Sequence, residues 1–432
     1  MSALVATDTV LTSTSGAGAH DAPAPAGPAP GLPAVADIAV IGGGCSGVAT
    51  AVRLAAGPHG RSVVVLEGHR GPDPRSWCSW DDGSDPLPEA RSASWSRWEV
   101  RTDRGTSTGV DAEHPYVLVR AADRRAAAQR RLTGGPVRLL DGVPVSGVAR
   151  EHDALVVHTA AGSVRADTVL DARGPRCPEH VGPGRVLLHQ RFVGQWIATD
   201  RPVFDPTTVT LMDFTAADTT GRVHFVYVLP VSSTEALVES TLFTPDAADP
   251  LDHRAAIAAY VGRRWGLPAA AWHVLEEERG CIPMTDAPPV DLSGSADPRW
   301  HPAGAERDAT VVGTTRPSSG YGFARSNRHS IDVARHLADG TPVPAFRDRA
   351  RTRFLDAVFL RVLRDRPEEA AEAFRRLVAL PGPLVVRFMG ERSTLVDDLR
   401  IVLALQKAPF LAALVRTVAD VVTRVRRTGR RP

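Results

Sequence analysis

A short apolar strand that runs straight into a glycine-rich turn fixes how this chain begins to fold. Residues 37–41 read DIAVI, and Gly42-Gly43-Gly44-Cys45-Ser46-Gly47 follows at once, giving G-x-G-x-x-G at 42, 44 and 47. Residues 48–56 have helical apolar spacing, with Val48, Val52 and Ala55 on one face. A second apolar strand at 62–66 ends in Glu67, 20 residues past the last glycine. Each position has a physical task. Gly42 permits the tight turn, Gly44 lets the backbone approach a pyrophosphate, and Gly47 lets helix and strand pack closely. The helix N-terminus offers N–H donors and partial positive charge to the phosphates, and Glu67 can accept hydrogen bonds from a ribose diol. Strand, turn, helix, strand and acid in this order predict a Rossmann-like dinucleotide site, without deciding between FAD and NAD.

A second piece, ADTVLDARG at 166–174, is a strand ending in Asp171-Ala172-Arg173-Gly174. It is similar to the returning strand with which FAD-dependent hydroxylases and reductases close their flavin domain. This predicts an FAD-binding domain over 35–185, with 309–344 returning to it. Residues 75–120 hold Trp77, Trp80, Trp95 and Trp98 among acids and prolines and read as an excursion lining a pocket or seam. Residues 186–284 carry Val-, Thr-, Phe- and Tyr-rich runs broken by Asp, Pro, Gly and Ser, the pattern of an antiparallel substrate-side sheet. Residues 252–265 and 269–278 read as helical, and 285–308 as an exposed loop. A C-terminal helical region follows over 345–432, with helices near 345–364, 367–379, 394–406 and 409–427. The last is amphipathic and ends in an arginine cluster, which suits either an anionic membrane surface or packing on the body with a solvated basic tail.

The chain has 432 residues, enough for two or three packed units, and 43% of them are apolar. A net charge of +2 gives no electrostatic footprint for nucleic acid. Residues 1–34, rich in Ala, Pro, Gly, Ser and Thr, read as disordered and lack the basic start and apolar core of a secretory signal. No apolar run approaches the roughly 20 residues that span a bilayer. The four cysteines are too sparse for a disulfide framework and form no close metal-type pair, so the reading is a cytoplasmic protein without metal.

Further segments carry a resemblance: SWCSW at 76–80, HQRFVGQWIAT at 189–199, LMDF at 211–214, HFVYVLPVSSTEALVEST at 224–241, RPSSGYGFARS at 316–326 and ALPGPLVVRFMG at 379–390. In order and spacing they resemble the bacterial, flavin-dependent lycopene β-cyclase family, of the actinobacterial kind, over about residues 37–415. The resemblance implies an isomerase that folds lycopene ends into β-ionone rings (γ-carotene, then β-carotene) with reduced FAD and no net redox change. NADPH is the expected reductant, although no separate nicotinamide domain is visible. By motif, Glu239 matches the family's essential acid and Asp213 the aspartate of its Met-Asp segment, where a turn or support role is equally open. The glycines, Glu67, Arg120 and Asp171 match the FAD site, and Gly313, Gly320 and Tyr321 match the segment near the isoalloxazine. Two departures stand out: Ser240 replaces a second acid or Tyr after Glu239, and Gly322-Phe323-Ala324 follows Tyr321.

The chemistry explains the acid. Ring closure begins by protonating a carbon–carbon double bond, which needs a carboxyl that stays protonated near neutral pH. Desolvation in an apolar strand such as ALVESTLF does this. The cation then needs negative charge or π faces, for which reduced flavin, Trp196, Phe225 and Tyr227 are candidates, and water must be excluded. His189 and His224 fall on apolar strands and read as core residues. Rival readings are an FAD-dependent cyclase of another isoprenoid, an FAD monooxygenase or polyprenyl reductase, and a non-catalytic carotenoid carrier. The second rival expects Gly-Asp before a late helix, and Gly313 is followed by Thr314. A lycopene substrate resides in the bilayer, so attachment to the inner face of the cell membrane is expected.

Overall fold

The computed structural model describes residues 31–57, 60–71, 73–178, 180–215, 221–288, 309–344 and 346–428. Most of the segment 1–34 and of the loop 285–308 lies outside them. In chain order the strands are β1 (Val35–Ile41), β2 (Val63–Glu67), β3 (Ser76–Trp80), β4 (Ala93–Trp95), β5 (Arg97–Thr102), β6 (Gly105–Val110), β7 (Tyr116–Arg120), β8 (Val137–Asp141), β9 (Val145–Glu151), β10 (Ala154–Thr159), β11 (Gly162–Asp171), β12 (Leu187–Thr199), β13 (Thr208–Asp213), β14 (Val223–Pro230), β15 (Glu235–Thr244), β16 (Trp272–Thr285) and β17 (Thr310–Val311). The helices are α1 (Cys45–Ala55), α2 (Ala121–Leu132), α3 (His253–Trp265), α4 (Phe323–Ala338), α5 (Ala350–Asp365), α6 (Ala370–Val378), α7 (Gly382–Met389), α8 (Leu395–Ala404) and α9 (Lys407–Thr428).

The first sheet runs β8-β2-β1-β11-β10-β9, with β17 beside β11. Its β8, β2, β1, β11 and β17 are parallel. β1 and β2 are buried on both faces, which is why they read as continuous apolar runs. Helix α4 lies against α1, so with β17 the late segment returns to the first unit. The second sheet runs β16-β12-β15-β14-β13-β5-β6. The stretch 269–278, read as helical, is instead mostly the start of β16; only Ala269–Ala271 forms a single 3-10 turn. Its glutamates pair in register with β12, and the ladder overrides their helical propensity.

The boundary between the two units departs from the sequence reading. Residues 75–120 form a small sheet, β3-β7-β4, yet β5 and β6 in their midst leave it and extend the second sheet. There β5 pairs with β13 in parallel, so this sheet is mixed rather than purely antiparallel. The largest apolar cluster joins the units: Trp80, Trp95 and Tyr116 from the small sheet pack with Trp196, Phe225 and Tyr227 from the second and with Leu360 and Phe374 from the C-terminal helices.

The C-terminal region has one helix more than its periodicity suggests, α7. A Cβ on Gly382 at its start would stand 1.9 Å from the Val110 carbonyl oxygen, so only glycine lets this helix abut the edge strand β6. Cys177 and Cys281, 104 residues apart, form a disulfide, a pairing that the reading of sparse cysteines in a reducing compartment did not anticipate. Cys45 and Cys78 are free. His189 Nδ1 lies 3.4 Å from Cys177 Sγ.

The loop 316–321 is tied to the helices by a buried ion pair. Arg316 and Asp356 are 3% and 1% exposed, with Nη2 2.9 Å from Oδ1. The Ser318 hydroxyl donates to the same carboxylate at 2.7 Å, and Arg316 Nη1 donates to the Phe388 carbonyl at 2.8 Å. Removing one partner of such a pair strands the other charge in a dry interior. Arg316→Met should therefore cost about 3–5 kcal/mol of unfolding free energy, measured by urea denaturation.

Candidate active site

At the first unit's glycine-rich turn, backbone geometry demands what the motif promised. Gly42 has φ +101°, and a Cβ there would sit 2.9 Å from the Ala172 carbonyl oxygen, so the turn and the 171–174 segment fit only around glycine. Asp171 is buried and binds Arg173, so it braces this turn. Gly44 caps α1 with no side-chain acceptor, the first turn carries no acid, and open space lies where its Cβ would be. Glu67 Oε2 accepts the Gly43 N–H at 2.7 Å. Gly43, Glu67, Trp77, Arg124 and Arg125 line a cavity of about 450 Å³. Arg125 binds Asp141 through Nη2, while its buried Nε and Nη1 make no hydrogen bond. A glycine cradle, an uncapped helix N-terminus and buried unpartnered guanidinium donors together suit the anionic adenylate end of a dinucleotide.

The segment expected near the isoalloxazine links this site to the second sheet. Gly313 has φ +79° and lies so close to α1 that a Cβ would be 2.4 Å from Ser46 Oγ. Gly320, φ +71°, rests on Gln190 of β12 and Ile282 of β16. Tyr321 comes next, its hydroxyl 3.0 Å from that of Tyr116. Arg120, expected at the cofactor, sits between the two regions: it pairs with Glu276 and lies 4.6 Å over the Trp196 ring.

On the second sheet the register places Glu278 (β16), Gly194 (β12), Glu239 (β15) and Tyr227 (β14) in one row. Directly opposed residues share a face, so both glutamates point the same way over a glycine. A Cβ on Gly194 would meet Glu278 Cγ at 3.1 Å and Glu239 Oε2 at 3.3 Å. The neighbouring row on this face is Glu276, Trp196, Leu237 and Leu229. Thr241 donates to Glu239 Oε1 at 2.8 Å. Above the row stand Trp80, Tyr116 and Tyr321, with the Trp80–Tyr116 and Trp80–Tyr321 ring centroids 4.9 and 5.8 Å apart.

Glu278 was not visible as a site residue in the sequence. It is 3% exposed, and its Oε2 makes no hydrogen bond among the described residues. Burial pushes both glutamates above the usual carboxyl range. For Glu239 the facing Glu278 adds to the push and Thr241 opposes it. For Glu278 the nearby Ser76 opposes burial, Glu276 adds and Arg120 opposes.

Asp213 is not part of this constellation. It opposes Val226, which faces α3, so it lies on the other side of the sheet from Glu239. There it is fully buried, accepting from the Tyr260 hydroxyl at 2.9 Å and the Thr215 hydroxyl at 2.6 Å, with Arg101 Nε at 3.2 Å. These bonds tie Asp213 into a buried network on the far face. Ser240 also faces α3, between His224 Nε2 and His253 Nδ1 at 2.9 Å each. A second acid at 240 would thus be turned away from Glu239, and the departure at Ser240 leaves the site intact.

Folded glutamates with raised pKa values hold protons that the unfolded chain releases above about pH 4.3. The folded state then binds more protons, so this pair makes stability fall as pH rises from that point through the folded-state values. The buried His189, His253 and His329 are shifted down by burial and act in the opposite sense at lower pH. The contribution is therefore read as a difference. From pH 5 to 8 the wild type should lose denaturant midpoint relative to the Glu239→Gln/Glu278→Gln double variant.

Comparison with known proteins bears on the family and the fold. A curated lycopene beta-cyclase from Paracoccus sp. is 28% identical over 409 residues, covering 88% of this chain and 96% of its own. A lycopene beta-cyclase from Pantoea ananas is 30% identical over 283 residues, 61% of this chain and 69% of its own. Among solved structures, a flavoprotein/dehydrogenase from Cytophaga hutchinsonii aligns with a TM-score of 0.56 at 12% identity, covering 86% of this chain and 98% of its own. A geranylgeranyl bacteriochlorophyll reductase-like protein from Thermoplasma acidophilum aligns at 0.53 and 12%, covering 91% and 98%. These structures establish a flavoprotein fold. Residues 37–415 match the family described as lycopene cyclase protein, and the chain belongs to that family.

Proposed function

We propose that this protein is a lycopene β-cyclase that closes β-rings by acid catalysis beside a bound FAD. The observation that carries the reading is Glu239, a half-buried carboxyl set beside Glu278 over Gly194 on the aromatic-lined face of the sheet, where desolvation pushes it above the usual carboxyl range. It donates its proton to the terminal double bond of the polyene. The resulting tertiary cation is attacked by the neighbouring double bond, and the ring closes. Trp196, Tyr227 and Phe225 offer π faces to the cation, and the packed roof of Trp80, Tyr116 and Tyr321 excludes the water that would trap it. Gly42–Gly47, Glu67 and Arg125 would hold the FAD, whose reduced form would supply negative charge to the site. NADPH is a suitable electron source for it. The reaction leaves the oxidation state of the product unchanged.

The test is anaerobic incubation of FAD-loaded protein with dithionite and lycopene in liposomes, followed by pigment chromatography. Conversion to one- and two-ringed products is expected, with Glu239→Gln lowering turnover by about 100-fold or more. Net NADPH consumption matching product would instead favour a reductase.

The substrate lives in a bilayer, and the C-terminal helices suit a membrane surface. Among the described residues no helix is long and apolar enough to cross one. A cavity of about 320 Å³ lies between α5, α8 and α9, lined by Phe354, Phe359, Phe374, Ile401, Leu405 and Phe410 among others. Val402 and Leu411 line it and are 52% and 61% exposed, so it opens at the surface. Leu395, Leu399, Leu403 and Val415 extend the apolar rim, and the exposed Arg400, Lys407 and Arg416 belong to the same helices. We take this face to lie on the inner leaflet. Replacing Leu399, Leu403, Leu411 and Val415 by Ser should reduce co-sedimentation with anionic liposomes several-fold while leaving the circular dichroism spectrum unchanged.

A further inference from the structure

The cyclisation proposed above needs two proton transfers, and Glu239 accounts for the first. The ring cation must lose a proton from carbon to form the final double bond. We infer that Glu278 is the base that takes it, and that Glu239, Gly194 and Glu278 form a two-carboxyl proton relay across three strands. This inference rests on the cyclase reading.

The geometry carries it. Glu278 and Glu239 flank Gly194 in one cross-strand row, and the missing side chain leaves their carboxyl groups converging on the same space. Three successive glutamates on β16 meet different fates. Glu276, on the site face, is locked to Arg120. Glu277 points to the opposite face, where Arg254 and Gln195 bind it and hold it down at about 2. Glu278 alone of the three is buried on the site face without an ion pair among the described residues, and its Oε2 has no hydrogen bond to any of them. The other titratable and charged groups near the pair are Arg75 and Cys78 on the β2–β3 side, Tyr116 and Arg120 on β7, Tyr227 on β14, Glu276 on β16 and Tyr321 in the late loop. Cys78, Tyr116, Tyr227 and Tyr321 are pushed further from ionisation by burial, so they stay protonated. Among the described residues, Glu278 is the facing group that can act as an anion without first giving up a cationic partner.

The balance closes without a co-reactant. The Glu239 O–H bond breaks as a C–H bond forms at the alkene. A C–C bond forms from the neighbouring π pair. A ring C–H bond then breaks, its electron pair becomes the new double bond, and the proton passes to Glu278. Transfer of that proton from Glu278 to Glu239 across the Gly194 gap resets the pair. Activity requires one proton on two carboxyls, which gives a bell-shaped pH dependence whose limbs belong to the pair.

The experiment compares FAD-loaded wild type, Glu278→Gln and Glu278→Ala on lycopene liposomes across pH, with flavin content and thermal unfolding as folding controls. Turnover by Glu278→Gln should fall by about 100-fold or more at every pH, with little change in KM and with loss of the acid limb. Added formate should partly restore Glu278→Ala. If Glu278→Gln keeps wild-type kcat and only its alkaline limb moves down, Glu278 merely keeps Glu239 protonated and the inference is overturned. If formate gives no rescue in a folded, FAD-loaded Glu278→Ala, it is likewise overturned. Absence of turnover in the wild type overturns the cyclase reading itself, and this inference with it.

Discussion

Side chains alternate across a β-strand, and in this molecule that alternation decides which acids meet. The register of β16, β12, β15 and β14 gathers Glu278, Gly194, Glu239 and Tyr227 on one face. One residue along, Glu277, Gln195, Val238 and Val228 form the facing row on the other side, where α3 covers them. A slip of one residue in β15 or β16 would turn a glutamate of this row to the opposite face. The pairing of β12 with both neighbours along most of its length is what holds the two carboxyls together against the cost of burying them.

The rest of the structure serves to roof that row. The 313–321 segment leaves the glycine-rich turn at Gly313, crosses to the sheet at Gly320 and delivers Tyr321 above Glu239. Its far side is fastened to α5 by Arg316 and Asp356. The glycine-rich turn, Glu239 and the C-terminal helices therefore share a single loop. The apolar cavity among the helices begins on the other side of it, at Ser318 and Ser319.

Much of this was legible in the chain itself, and the omissions have physical causes. The opening strand–turn–helix–strand announces its fold because each glycine is required sterically, and a required glycine leaves a fixed spacing. Glu239 was singled out by its likeness to the family's motif, because an acid inside ALVESTLF is by itself equally compatible with the wet face of a strand. Glu278 was not, since it sits in the run Glu276-Glu277-Glu278-Arg279, which reads as solvated charge until strand pairing shows that one member is buried. For Asp213 the sequence left a supporting role and a second acid equally open. It follows an irregularity in β13, and the face it takes cannot be counted from the sequence. The Cys177–Cys281 bond and the departure of β5 and β6 from their own segment are long-range pairings, which no local pattern encodes.

The excursion of β5 and β6 has a mechanical meaning. The chain leaves the small sheet after β4, contributes two strands to the edge of the large mixed sheet, and returns as β7. The small sheet and the large mixed sheet are thus sewn together twice within about twenty residues, not joined by a single strap. Swinging them apart as rigid lobes would require unzipping the β13–β5 ladder. That ladder ties the small sheet to the large one at a second place besides the apolar cluster that joins them.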